Sequence, residues 1–339
     1  MNILVTGGAG YIGSHTSIAL IESGYNVIIA DNLCNSSRKT VEQIMKITNK
    51  ELTFFQIDVT DPESVETIFE NCEIDSVIHF AGLKAVGESV VNPLAYYYNN
   101  IVSTLVLVNA CRKYDVNRFV FSSSATVYGN NKIPFTESMD LLSTTNPYGE
   151  TKAMSERILT DIAKANPDFS VTLLRYFNPV GAHESGLIGD DPNGIPTNLM
   201  PYITQVVKGK LKELQVFGND YPTSDGTGIR DYIHVVDLAA GHVAALENLS
   251  EGVHVYNLGT GKGTSVLELV KAFEEANDIR VPYKIVERRH GDIAECFADV
   301  TKAKRELGWA TKRDIKSMCQ DSWRFANRYK DKVALRNGN

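Results

Sequence analysis

The segment ILVTGGAGYIG, residues 3–13, constrains the fold more than any other stretch of the chain. An apolar, strand-like run leads straight into a cluster of glycines, and a helix-like stretch follows. Gly8, Gly10 and Gly13 satisfy the spacing GxGxxG, and Gly7, Gly10 and Gly13 satisfy the wider GxxGxxG. Glycine lets a backbone turn sharply from strand to helix and come close to a pyrophosphate, which rests on the helix N-terminus. A tight turn without a ligand would use the same residues, but the strand before and the helix after make a dinucleotide site the better reading. Eighteen residues after Gly13 comes Asp31, at the end of the second strand-like run. A carboxylate there accepts hydrogen bonds from an adenosine ribose and repels a 2′-phosphate, which selects NAD over NADP. Arg38 lies too far along to take its place. Asp58, in QIDV, is placed either to meet the adenine or to cap a strand end.

The rest of the first half alternates in the same way. Strand-like runs fall at 2–6, 26–31, 52–59, 76–82, 118–125 and 170–177, with helix-like stretches near 12–23, 62–69, 93–113 and 147–165. Near-continuous apolar strands separated by amphipathic helices predict an α/β fold: a doubly wound, Rossmann-type parallel sheet covered on both faces. After residue 178 the texture changes, and Gly, Pro, Asn and Asp crowd NPVGAHESGLIGDDPNGIP. This predicts a cofactor domain over 1–177, with a segment returning to it near 229–262, and a second, smaller α/β substrate lobe over 178–339. The polar tail from about 328 is expected to fray.

Composition removes several function classes. The charge of −7 comes with no basic stripe, so no nucleic-acid partner is expected. No apolar run approaches the ~20 residues that span a bilayer, and the N-terminus lacks a basic region and a cleavage site, so neither a membrane partner nor a signal peptide is expected. Cys34, Cys72, Cys111, Cys296 and Cys319 are scattered without a CxxC pair. They predict a reduced, cytoplasmic protein with neither disulfides nor a metal site. A second glycine cluster, NLGTGKG (257–263), lacks an acidic partner at the right distance, and a capping box of Ser265 and Glu268 explains the helix that follows it. His79, inside an apolar strand, reads as a core residue. His15, in a first helical turn, receives no chemical role.

The stretch NPYGETK, 146–152, sets Tyr148 four positions before Lys152. A chain with 15 tyrosines and 20 lysines produces about one such spacing by chance, and Tyr128 with Lys132 is a second match. That second match runs through Gly-Asn-Asn toward Pro134, which is turn chemistry. Only Tyr148 and Lys152 open a helix: Asn146 suits the N-cap, Pro147 the first turn, and helix formers follow. Residues four apart on a helix share a face. Upstream, FSSSATVYG (121–129) supplies serines, of which Ser122 and Ser124 share one side of a strand and Ser123 points away.

A glycine turn, a serine-rich fifth strand and a downstream Tyr-x-x-x-Lys resemble the extended short-chain dehydrogenase/reductase superfamily, in which the triad would be Ser124, Tyr148 and Lys152. A free phenol, with a pKa of ~10, is a poor base at neutral pH. Lys152 and a cationic nicotinamide would favour the phenolate, and a shift of three units corresponds to ~4 kcal/mol. HFAGLKAVGES (79–89), SSSATVYG, NPYGETK, LRYFNPVGAH (174–183) and GIRDYIHVVDLA (228–239) together resemble the UDP-glucose/UDP-galactose 4-epimerase family over nearly the whole chain. The resemblance implies transient oxidation of sugar C4 to a ketone, rotation of the keto sugar, and hydride return to its opposite face, with Tyr148 releasing and recovering one proton.

It also implies site residues. For NAD these are Gly7, Gly10, Tyr11, Ile12, Asp31, Asn32, Asn35, Ser36, Asp58, Val59, Phe80, Ala81, Gly82, Lys84, Asn99, Ser122, Tyr148, Lys152 and Tyr176. For the UDP-sugar they are Lys84, Ser124, Tyr148, Phe177, Asn178, Asn198, Leu199, Phe217, Arg230, Arg289, Asp292 and Cys296. Phe217 would lie against uracil, Arg230 and Arg289 against the diphosphate, and Asp292 against the uridine ribose. The family forms homodimers through a helix bundle, which implies pairing through the helices over 93–114 and 147–165.

Two rivals remain. A nucleotide-sugar 4,6-dehydratase would carry an Asp-Glu pair where this chain has Ala125 and Thr126, followed by Val127. A non-catalytic NAD-sensing regulator would tend to lose the Tyr/Lys pair. One departure is informative: Cys296 stands where some family members carry tyrosine. The space it leaves beside the sugar predicts additional turnover of UDP-GlcNAc and UDP-GalNAc, although a thiol can also be a plain gap filler.

Overall fold

From Phe119 to Ser124 the run FVFSSS is buried at every residue, so the strand it forms is covered on both sides. The computed structural model describes residues 1–192, 194–289 and 292–334, with side chains through 328. Its centre is a seven-stranded sheet built from β1 (Asn2–Thr6), β2 (Asn26–Ala30), β3 (Thr53–Phe55), β4 (Ser76–His79), β5 (Arg118–Ser124), β6 (Ser170–Tyr176) and the strand Val253–Leu258. The spatial order is Val253–Leu258, β6, β5, β4, β1, β2, β3, and every pairing is parallel. The chain winds outward from β1 in one direction through β2 and β3, and from β4 in the other. The switch point therefore lies between β1 and β4, where doubly wound sheets bind ligands at their carboxyl ends.

Helices α1 (Tyr11–Glu22), α2 (Arg38–Thr48) and Val235–Glu247 cover one face, and their Ile18, Leu20, Ile44, Leu238 and Val243 pack with Ile3, Val5 and Ile29 of the sheet. On the other face lie α3 (Pro62–Asn71), a short α4 (Val86–Val91), α5 (Pro93–Lys113) and α6 (Pro147–Ala165). There Val65, Ile68, Leu107 and Leu159 close over Leu4, Val77 and Phe119.

Several local readings change, among them the fourth strand, which stops at His79 short of the predicted 82, and helix α4, which the pattern does not predict. The third strand stops at Phe55, short of the predicted 59, because the chain turns at Asp58, whose Oδ1 accepts from the Thr60 N–H at 2.9 Å and the Thr60 hydroxyl at 2.7 Å. Asp58 thus lies three residues beyond the strand. Helix α2 was not predicted; Ser37 caps it by accepting from the Lys39 N–H, and Val41 and Ile44 bury its inner face. The last helix, Ile315–Ala334, continues past the point near 328 where fraying was expected, and residues 335–339 lie outside the described residues.

A further core lies outside the central sheet, where Met200 and Ile203 of helix Leu199–Val207 meet Leu269 and Phe273 of helix Val266–Asn277 and Met318 of the last helix. A small sheet borders it: Ile229–Arg230 pairs antiparallel with Thr264–Ser265 and parallel with Glu295–Cys296. Among the described residues, no helix is long and apolar enough to cross a membrane.

Candidate active site

Helix α6 begins as its sequence dictates: the Asn146 side chain accepts from the Gly149 N–H at 2.9 Å, and Pro147 occupies the first turn. One stripe of this helix, four residues per step, carries Tyr148, Lys152 and Glu156, and it lies along the serines of β5. Tyr148, part-buried, lies beside Ser124, whose hydroxyl favours its ionised form. The Lys152 ammonium, buried, donates to the Ser122 carbonyl at 2.7 Å and sits 4.8 Å from the centre of the Phe121 ring. Glu156 accepts from the Ser123 hydroxyl at 2.5 Å and from Arg175 Nε and Nη2 at 2.9 and 2.6 Å. Ser123 points away from Ser122 and Ser124, as strand alternation requires. Ser122 instead meets the Tyr176 hydroxyl.

The electrostatics of this trio depart from the sequence reading. Burial raises the Tyr148 phenol above its ordinary range, and the Ser124 hydroxyl offsets this only in part. Burial depresses Lys152 from 10.5 to about 8, with Glu156 pulling in the opposite direction. The protein alone therefore does not hold a phenolate at Tyr148; a further positive charge beside the ring is needed to bring the phenol into the working range.

The glycine turn has the shape of a dinucleotide cradle. Gly7 adopts φ +70°, and a Cβ there would lie 2.7 Å from the Ala81 nitrogen. A Cβ on Gly13 would meet the Gly7 carbonyl oxygen at 2.3 Å, so α1 can approach β1 this closely only without a side chain at that position. Gly10 caps α1 with no side-chain partner, which leaves the helix-end N–H groups for an anion. Asp31, buried at the end of β2, accepts from Leu33 N–H and Ser36 hydroxyl on Oδ1 at 2.9 and 2.8 Å, and from Ala9 N–H on Oδ2 at 3.0 Å. Oδ2 retains a lone pair for a ribose hydroxyl. Asn32 donates to Asp58 at 3.2 Å, and that carboxyl, pushed up by burial, is held below its ordinary range by the hydrogen bonds of Thr60 and Asn32 together. Val59 is buried, Ile12 is partly so, and Asn35 lies exposed on the adjoining loop. The Tyr11 hydroxyl reaches away from the turn and donates to the Gly181 carbonyl at 2.7 Å. The donor set of this cradle fits NAD.

Beyond β4, Phe80 and Ala81 donate their N–H groups to the Thr6 carbonyl, and Gly82 leaves room for Asn100. Sequence reasoning named Asn99, which is half-buried, and passed over Asn100, which does more. Asn100 accepts from the Leu83 N–H at 2.8 Å and donates to the Thr151 hydroxyl at 2.9 Å, tying the Lys84 loop to the helix of Tyr148 and Lys152. Lys84 itself is exposed. His79 is a core residue: Thr6 bonds its Nδ1 at 2.8 Å, and burial drops it to about 3.

Beyond the central sheet the structure gathers Phe217, Arg230, Arg289 and Asp292. Arg289 lies 4.8 Å over the Phe217 ring and donates to Asp292 at 2.9 Å, and Arg230 reaches Asp292 at 3.9 Å. Cys296 stands opposite Arg230 in the small sheet and packs on the cluster of Ala125, Phe177 and Ala298, immediately beyond Ser124. Asn178 N–H donates to the Asp231 carbonyl at 3.0 Å. Asn198 and Leu199 lie at the start of helix Leu199–Val207, where the Asn198 amide donates to Asp190 at 3.5 Å.

A family model described as GDP-mannose 4,6 dehydratase matches residues 4–322. Much of the chain is also 61% identical to the UDP-glucose 4-epimerase of Bacillus subtilis strain 168, over 328 residues and 96% of each chain. The chain belongs to the UDP-glucose 4-epimerase family. Another member, the epimerase of Haemophilus influenzae, is 60% identical over 96% of this chain and 97% of its own. Among solved epimerases, the Bifidobacterium longum enzyme in complex with NAD+ and UDP superimposes with a TM-score of 0.95 at 53% identity, covering 98% of this chain and 99% of that one.

Proposed function

We propose that this protein is an NAD-dependent 4-epimerase that interconverts UDP-glucose and UDP-galactose. The observation that carries the reading is the pairing of Tyr148 with Ser124, braced by Lys152, at the carboxyl edge of a parallel sheet whose first turn is a dinucleotide cradle. When bound, the nicotinamide would accept a hydride from sugar C4 and return it to the other face, and its positive charge is the one Tyr148 lacks in the protein alone. Ser124 holds the C4 oxygen. Tyr148 takes the hydroxyl proton and later gives it back, so one group serves both directions. Lys152 stabilises the phenolate from one helical turn away. Asp31 with Ser36 grips the adenosine ribose, and the Gly10 helix start receives the pyrophosphate.

The first 177 residues with the returning segment 229–262, which carries helix Val235–Glu247 and the strand Val253–Leu258, form the cofactor domain in this reading, and the second lobe holds the UDP-sugar. Phe217 stacks on uracil, Asp292 binds the ribose, and Arg230 and Arg289 neutralise the diphosphate, for which a planar guanidinium is well matched. Lys84 serves the nicotinamide ribose. Burial pushes the Cys296 thiol up to about 11, so it is neutral near pH 7 and acts as a small apolar wall. That wall admits a 2-acetamido group, and we include UDP-GlcNAc and UDP-GalNAc among the substrates. The dehydratase alternative needs an Asp-Glu pair where this chain has a buried Ala125 and a Thr126, neither of which carries a carboxyl, and it is not favoured.

An outward stripe on α5, with Leu94 and Tyr98 at 78% and 64% exposure, and the neighbouring Val91 at 86%, supports a homodimer through this face. Five unpaired cysteines support a cytoplasmic location. The deciding experiment is to purify the protein without added cofactor, record its ultraviolet spectrum for bound nicotinamide, and supply UDP-galactose. Formation of UDP-glucose is expected; a nicotinamide-loaded protein that leaves UDP-galactose unchanged would remove the epimerase reading.

A further inference from the structure

The turn NLGTGKG, residues 257–263, has the glycine spacing of a nucleotide loop yet takes no part in the cofactor cradle. Its occupant is internal. Asp231 is fully buried and directs its carboxylate into the loop. Oδ1 accepts from the Thr260 N–H at 2.8 Å and the Thr260 hydroxyl at 2.6 Å. Oδ2 accepts from the Gly261 N–H at 3.0 Å and the Ala298 N–H at 3.3 Å. A Cβ on Gly259 would lie 2.5 Å from Oδ2, so the glycine is a steric requirement of this carboxylate. Converging N–H groups hold an aspartate here in the way such loops hold a phosphate.

The backbone of the same residue reaches the substrate side. Asp231 N–H donates to the Cys296 carbonyl at 3.0 Å, and its carbonyl accepts from the Asn178 N–H at 3.0 Å. Its neighbour Arg230 stands opposite Cys296 in the small sheet. Asn178, Arg230 and Cys296 are thus joined through one buried residue, which the loop 259–261 locks from behind.

We propose that Asp231 is a positioning residue for the nucleotide sugar: the glycine loop grips its carboxylate, and that grip sets the distance between the diphosphate-binding side and the Cys296 wall. This rests on the epimerase reading above. Four hydrogen bonds to one buried carboxylate make the brace stiff, and removing the charge weakens all of them together.

The test uses the protein with its bound nicotinamide and two variants. In Asp231→Asn, the KM for UDP-galactose and the Kd for UDP by calorimetry are each expected to rise about tenfold, with kcat within about twofold and nicotinamide content unchanged. Thr260→Val, which removes only the hydroxyl donor, is expected to shift both in the same direction by about threefold. If a folded variant loses thermal stability while KM and UDP affinity stay at wild-type values, Asp231 is a brace of the fold alone and the proposal is overturned. Should Asp231→Asn not fold, Thr260→Val decides by the same criterion. A wild type that binds nicotinamide and UDP without turnover would count against the epimerase reading instead, and UDP affinity would still report on Asp231.

Discussion

Lys152 and Glu156, one helical turn apart on α6, hold consecutive residues of β5: Lys152 donates to the Ser122 carbonyl at 2.7 Å, and Glu156 accepts from the Ser123 hydroxyl at 2.5 Å. With Tyr148 on Ser124, the helix is registered against the strand at three successive residues. A slip of either element would move the phenol away from Ser124, so the placement of the chemistry depends on a residue that touches no substrate.

Glu156 is buried and shares its charge with Arg175 at 2.6 Å. Glu156→Gln leaves that guanidinium without a counter-charge in the interior and is expected to cost about 3 kcal/mol or more. Urea denaturation measures it. A loss under about 1 kcal/mol would mean that water reaches the pair.

Lys152 has a sign that can be checked. Its pKa is about 8 in the folded protein against an ordinary 10.5, so between these values the unfolded chain binds more protons and stability rises with pH. Below pH 8 the buried charge is a net cost of about 3 kcal/mol, the free-energy equivalent of that shift. Lys152→Met should therefore be more stable than wild type at pH 7, with a gap that narrows toward pH 10, while epimerisation is lost. Denaturation curves at the two pH values decide it; a variant weaker at both would show that the ammonium is well solvated.

Tyr148→Phe removes the proton carrier and leaves the ring. Turnover of UDP-galactose should fall about a thousandfold. The nicotinamide absorbance of the purified variant should match wild type, because the cradle lies on β1 and β2. Retained turnover would transfer the proton to another group.

Cys296→Tyr puts an aromatic ring into the sugar side of the pocket. Conversion of UDP-GalNAc to UDP-GlcNAc should drop at least about tenfold, with UDP-galactose turnover little changed. A wild type inactive on the acetamido pair would leave Cys296 as a gap filler.

Gly13→Ala sets a methyl group 2.3 Å from the Gly7 oxygen and 2.9 Å from the Gly8 Cα, both backbone atoms that cannot yield. Helix α1 must back away from the turn. The protein should fold and lose most of its bound nicotinamide, read from its absorbance after purification. Full occupancy would show that the turn is not the pyrophosphate site.

What could be read from the chain was local. Glycine spacing with its flanking periods placed the β1–α1 turn, Asn146 and Pro147 placed the start of α6, and Ser265 with Glu268 placed a helix start, which the structure shows as a full capping box. Each signal rests on residues a few positions apart, where sterics and short-range hydrogen bonds act without reference to the rest of the fold. Tertiary structure alone decided who meets whom. Glu156 meets Ser123 across 33 positions, and Asp231 meets Ala298 across 67. Burial, which raises Tyr148 and lowers Lys152, depends on every element packed around them, so no reading of the three residues between them could have supplied its sign.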